Sequence, residues 1–198
     1  MGAVNTLVWS ESGYSGLNTD GYGLERGLEL DLGITFKGTA VMILGAGGAA
    51  RAAAVQAILS GCAQLYIGNR SMDRLQDMVA SLEPFAGKVE VKTFPLSAVP
   101  EDLPTSGVVI NATSLGLNSD DPTPIDVAQL PTEWKVYDMI YNPSETRLLK
   151  KASLRGLKVA NGLSMLVHQG ARALETWTQE TVDTDVMMAA ARSYLDSP

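Results

Sequence analysis

Apolar and polar positions follow two rhythms along this chain. Short unbroken apolar runs, such as Ala40-Val41-Met42-Ile43-Leu44, are followed by longer stretches with helical spacing. An apolar run of that length predicts a strand covered on both faces, as in a parallel sheet. Further strands are predicted at 64–67, 88–93, 108–111, 136–140 and 158–160. Helices are predicted at 49–59, 72–82, 144–155, 163–178 and 184–195. Gly61 is expected to close the first of these in a left-handed cap, and Pro84 to stop the second. Strands alternating with helices predict βαβ units, hence an α/β fold with a mostly parallel sheet. The first 38 residues do not fit the alternation. They read as one strand at 2–9, a glycine-rich loop at 13–23 and a helix at 22–34. A lone strand would have two unpaired edges, so this part reads as the remnant of a sheet whose other strands are missing.

The best strand runs directly into Gly45-Ala46-Gly47-Gly48-Ala49-Ala50, which a helix follows. This is a G-x-G-x-x-A variant of the dinucleotide fingerprint in the required strand–turn–helix setting. Gly45 permits the tight turn, Gly47 lets a diphosphate approach the backbone, and Ala50 keeps helix and strand close. Free amides and the helix dipole favour an anion there. A glycine turn used only for packing is the alternative. With the turn in place, the expected fold is Rossmann-like: doubly wound, with helices on both faces.

The next strand ends Ile67-Gly68-Asn69-Arg70-Ser71, with no acid among these five and Arg74 one turn on. A carboxylate there would bind a ribose 2′-hydroxyl, whereas arginine forks to a 2′-phosphate and stacks on adenine. The expected cofactor is therefore NADP. The alternative is that Arg70 and Arg74 are solvated arginines at a helix start.

Composition narrows the partners. Lys and Arg total 15 against 22 Asp and Glu, a net charge of −7. That field disfavours nucleic acid and anionic membranes. The single cysteine, Cys62, fits a reducing compartment, and with no secretory signal a cytoplasmic location is expected. The only histidine, His168, offers no metal cluster and reads as structural. The Lys150-Lys151 pair with Arg155 and Lys158 reads as a solvated helix face.

Several segments, in order, resemble the shikimate dehydrogenase family. They are Gly2-Ala3-Val4-Asn5-Thr6, Gly16-Leu17-Asn18-Thr19-Asp20, the glycine turn with Arg51, and Asn69-Arg70-Ser71. Beyond these come Ile110-Asn111-Ala112-Thr113-Ser114-Leu115-Gly116, Asp138-Met139-Ile140-Tyr141-Asn142-Pro143, and Asn161-Gly162-Leu163-Ser164-Met165-Leu166-Val167-His168-Gln169. The resemblance implies reduction of 3-dehydroshikimate to shikimate with NADPH, in a cleft between a substrate domain and a cofactor domain. It implies Asn5, Asp20, Tyr141 and Gln169 on the substrate side, with Asp20 as half of a catalytic Lys–Asp pair. It places Gly45, Gly47, Gly48, Ala49, Asn69, Arg70, Ser71 and Arg74 on NADP, and Thr113, Met139, Gly162 and Met165 at its nicotinamide end. Residues 1–20 would be a remnant of the substrate domain and its crossover, 21–180 the NADP-binding domain, and 181–198 a C-terminal helix.

One departure weighs against full activity. None of Lys37, Lys88, Lys92, Lys135, Lys150, Lys151 and Lys158 stands in the family's Asn-Val-Thr-x-Pro-x-Lys context. The chain is therefore expected to be mainly the cofactor-binding part, poorly active by itself. A non-catalytic NADP-binding module and a quinate-preferring relative are the alternatives. Apolar surface around Val4, Leu7 and Trp9 is expected to be exposed and to favour a homo-oligomer.

Overall fold

The computed structural model describes residues 3–195, so Gly2 of the first motif lies outside it. The apolar runs become a six-stranded, wholly parallel sheet: β3 (Ala40–Leu44), β4 (Gln64–Asn69), β5 (Glu90–Pro95), β6 (Ser106–Asn111), β7 (Glu133–Asp138) and β8 (Lys158–Asn161). Their spatial order, β5-β4-β3-β6-β7-β8, is that of a doubly wound dinucleotide-binding fold. The chain reverses direction across the sheet between β3 and β6, and such a switch point opens a crevice at the carboxyl ends of the strands.

The β3 run is fully apolar because both its faces are covered. Val41 and Ile43 join one core with Leu24, Leu28, Ala53 and Leu75 from helices on that side. Ala40, Met42 and Leu44 join the other core, with Trp134, Leu148 and Leu149. The first face carries α1 (Asp20–Leu32), α2 (Gly48–Leu59) and α3 (Met72–Ala86). The second carries the 3-10 turn Val127–Gln129 and α4 (Arg147–Leu154). Helix α5 (Leu163–Thr178) crosses α1, and α6 (Thr184–Leu195) lies on α5 with no buried residue.

The α1–α5 crossing is unusually close. A Cβ on Gly23 would stand 2.6 Å from the Met165 carbonyl oxygen, and one on Gly27 would stand 3.3 Å from the Met165 amide nitrogen. His168 is buried at this crossing, and burial holds its pKa below the usual 6.5. Arg26 on α1 adds to that, while Asp31 on α1 and Asp185 on α6 oppose it. The unfolded chain therefore binds its proton more readily than the folded one. His168 contributes stability above about pH 6.5 that fades as pH falls towards the depressed folded value. Urea midpoints from pH 5 to 7.5 are expected to rise more steeply with pH in the wild type than in His168→Gln. Parallel curves would remove histidine from the account.

Three expectations need correcting. The lone strand is a hairpin: β1 (Thr6–Ser10) pairs antiparallel with β2 (Gly13–Leu17). Gly13 takes φ +112 at the turn, and Gly16 lies within the second strand, so the glycines belong to the hairpin and not to a loop. Pro84 does not stop α3, which runs on to Ala86. A proline costs a helix one amide bond and crowds the carbonyl four residues back, but Pro84 sits in the last turn and Phe85 beyond it packs on the core. Arg155 is not simply solvated, because its guanidinium donates to the carbonyls of Val127 and Leu130. Val4, Leu7 and Trp9 are exposed at 58%, 56% and 66%. Among the described residues, no helix is long and apolar enough to cross a membrane.

Candidate functional site

A cavity of about 870 Å³ opens at the carboxyl ends of the strands, over the switch point. Its floor is the glycine turn. Gly45 has φ +118, and a Cβ there would lie 2.8 Å from the Ala112 carbonyl oxygen. Only glycine fits both the backbone and the space. Gly47, the residue before α2, has nothing within 4 Å of a would-be Cβ. Its backbone is therefore bare towards the cavity, while Ala50 behind it is fully buried. Gly48 and Ala49 open the first turn of α2, exposed but outside the cavity lining.

The second wall comes from β4 and the start of α3. Asn69 anchors the bend by donating Nδ2 to the Ser71 carbonyl at 2.8 Å. Ser71 caps α3, accepting from the Arg74 amide, so its hydroxyl is occupied locally and does not line the cavity. The bend delivers Arg70 and Arg74 into the cavity, both exposed. The third wall is the loop after β6. Asn111 accepts from the Thr113 amide and hydroxyl, at 3.1 and 2.7 Å, and fixes Thr113 at the cavity's edge.

Asn111 belongs to a buried network that the residue-level reading did not single out. Its Nδ2 donates to Asp138 at 2.9 Å and to the Leu115 carbonyl at 3.1 Å. Asp138 also accepts from Thr146 Oγ1 at 2.7 Å and the Ile140 amide at 3.1 Å. Burial pushes the Asp138 carboxyl up, and these three donors pull it back down. The available signal was a polar residue ending each of two apolar strands.

The nicotinamide-side candidates divide. Thr113 edges the first cavity, while Met139 lines a second one of about 720 Å³, which the substrate-side candidate Tyr141 also lines. Gly162 is packed against Met139, and Met165 lines neither cavity, lying half-buried against the core. The substrate-side candidates Asn5, Asp20 and Gln169 come together although 164 positions separate the first from the last. Asn5 Nδ2 lies 2.7 Å from Asp20 Oδ1 and 3.3 Å from Gln169 Oε1. Thr19, which the sequence reading missed, joins them through Asn5 at 3.0 Å. Tyr141 is 37% exposed at the second cavity. Among the described residues, no group of three His, Cys, Asp or Glu could hold a metal.

A doubly wound sheet with a bare glycine turn at its switch point and two arginines after the second strand defines a dinucleotide-binding domain of the oxidoreductase type. The comparisons with known proteins agree. The shikimate/quinate 5-dehydrogenase family model matches residues 29–118, and the shikimate 5'-dehydrogenase C-terminal domain model matches residues 162–192. The chain belongs to the shikimate dehydrogenase family. It is 42% identical to the shikimate dehydrogenase (NADP(+)) of Symbiobacterium thermophilum, over 99% of this chain and 68% of that one. The crystal structure of a shikimate dehydrogenase in complex with NADP+ superposes with a TM-score of 0.89 at 34% identity, covering 99% of this chain and 68% of the other. A quinate dehydrogenase from Corynebacterium glutamicum in complex with NAD gives 0.85 at 31%, covering 97% and 68%.

Proposed function

We propose that this chain binds NADP(H) in the larger cavity and serves hydride transfer between that cofactor and 3-dehydroshikimate or shikimate. The observation that carries the reading is the joint placement of the bare Gly45–Gly47 turn, Arg70 and Arg74 around one cavity. The amides of the turn and the dipole of α2 suit a diphosphate. The two guanidinium groups suit a 2′-phosphate, and β4 ends in Asn69 and not in the carboxylate that an NAD site would carry there. When bound, the nicotinamide supplies the hydride. A cytoplasmic location fits the single, buried Cys62.

Asn5, Asp20 and Gln169 form the substrate-facing cluster in this reading, with Tyr141 contributing from the loop after β7. Reduction of a ring ketone leaves charge on oxygen, which a proton donor must neutralise. Asp20 accepts from Asn5 and stands where it could hold a cationic donor in place. None of the seven lysines here stands in the family's lysine context, so none is assigned the donor's role. The chain by itself is therefore expected to bind NADP(H) and to turn shikimate over slowly. General acid–base help is worth about 10²–10⁴-fold, so turnover is expected to be lower by that order than in a site that carries the lysine.

Fluorescence titration tests the cofactor assignment. NADP+ is expected to bind more tightly than NAD+, and Arg70→Ala is expected to weaken NADP+ about 10- to 100-fold while sparing NAD+. A preference for NAD+ in the wild type would overturn the assignment. Brisk shikimate-dependent NADP+ reduction by the purified chain would overturn the expectation of slow turnover.

A further inference from the structure

The larger cavity has a wall that the glycine turn and the two arginines do not account for. It is built from the 3-10 turn and α4, and it carries Asp126, Gln129 and Lys151. We infer that Lys151 is a further specificity-determining residue, the third cation for the 2′-phosphate of NADP. The inference rests on the NADP reading above and extends it across the cavity.

The position of Lys151 is fixed by helix geometry. Thr146 caps α4, accepting from the Leu149 amide, and is tied to buried Asp138 through its hydroxyl. Leu148, Leu149 and Ala152 press the helix on the sheet. Residues four apart share a helix face, so Lys151 stands on the same face as Arg155. That face is pinned towards the 3-10 turn, because the Arg155 guanidinium donates to the carbonyls of Val127 and Leu130. Lys151 is thus directed to the cavity, whereas Lys150 is exposed and does not line it.

Charge supports the same reading. The chain carries a net −7, yet the cavity lining holds Arg70, Arg74 and Lys151 against the one carboxylate of Asp126. That carboxylate is engaged in capping, accepting from the Ala128 amide at 3.0 Å. Lys151 forms no ion pair among the described residues. The diphosphate already has the amides of the glycine turn. The 2′-phosphate is the second anion of the cofactor, with a charge of about −1.5 to −2. A lysine is a compact charge on a flexible stem, suited to reach such a group from the opposite wall.

The test is titration of the full chain with NADP+ and with NAD+, for wild type, Lys151→Gln, Lys151→Arg and Arg70→Ala. Lys151→Gln is expected to weaken NADP+ about three- to fivefold, the scale of an exposed charge contact. NAD+ should be unaffected, and Lys151→Arg should recover NADP+ binding. Equal weakening of both nucleotides would place Lys151 on the diphosphate and overturn the proposal, as would no change in either. If Arg70→Ala loses the NADP+ preference while Lys151→Gln keeps it, only the Lys151 assignment falls. If Arg70→Ala also keeps it, the reading beneath it falls as well. A thermal melt of Lys151→Gln coincident with wild type checks that folding is untouched.

Discussion

Gly162→Ala is expected to destabilise the fold by at least about 3 kcal/mol, lowering the melting temperature by roughly 6–12 °C. The backbone conformation is not the cause, since Gly162 sits at φ −78 and ψ 7, where alanine is at ease. The cause is space. An added Cβ would lie 2.0 Å from the Met139 carbonyl oxygen and 2.5 Å from its carbon. Both are backbone atoms, so no rotamer change can relieve the clash. Gly162 is also held in place, donating to the Ile140 carbonyl at 3.2 Å and accepting from the Leu166 amide at 3.0 Å. The end of β7 and the start of α5 must separate, which carries Met139 and Tyr141 away from their places. Gly47→Ala provides the contrast. Nothing lies within 4 Å of its Cβ, so its melting temperature should stay near wild type while NADP+ binding falls. Circular dichroism melts beside nucleotide titrations read both effects. A Gly162→Ala melt within 2 °C of wild type would contradict the packing argument.

That contrast shows what a sequence carries and what it leaves to tertiary structure. Gly45 and Gly47 were legible because their role is local: a strand, a turn and a helix within a few residues. The β3 run was legible for the same reason, since burial on both faces removes polar positions from the strand itself. Gly162 looked like any residue before a helix, because the atom that demands glycine there belongs to Met139, 23 positions earlier. The hairpin was misread because Gly13 and Gly16 have loop chemistry, and only pairing with Thr6–Ser10 makes them strand residues. The meeting of Asn5, Asp20 and Gln169 was implied by the family resemblance, not by periodicity. The α1–α5 crossing brings it about, through backbone contact at Gly23 that leaves no room for a side chain. Lys151 looked like part of a solvated face because nothing in its neighbours announces that Arg155 anchors that face to Val127 and Leu130.

Replacing Asp138 should separate two kinds of loss at one buried position. The residue is fully buried, and its carboxylate receives Asn111 Nδ2, Thr146 Oγ1 and the Ile140 amide. Asp138→Val removes the acceptor and strands three donors away from water, an expected cost of about 3–5 kcal/mol. Asp138→Asn keeps the shape. Its amide oxygen can serve Asn111 and Ile140, and its NH2 can donate to Thr146, whose hydroxyl is able to accept as well as donate. The cost should then be only about 1–2 kcal/mol. The consequence for binding follows the network outward. Asp138 holds Asn111, Asn111 holds Thr113 and the Leu115 carbonyl, and that loop is a wall of the larger cavity. On its other side Asp138 holds Thr146, the cap of the helix that carries Lys151. Asp138→Asn should therefore fold yet bind both NADP+ and NAD+ more weakly, because the wall that loosens is common to both nucleotides. Arg70→Ala should be selective where Asp138→Asn is not. Urea denaturation of the two Asp138 variants, with nucleotide titration of Asp138→Asn, measures each part. If Asp138→Val proved as stable as Asp138→Asn, the three donors would have to find other acceptors, and the carboxylate would not be what holds the two loops together.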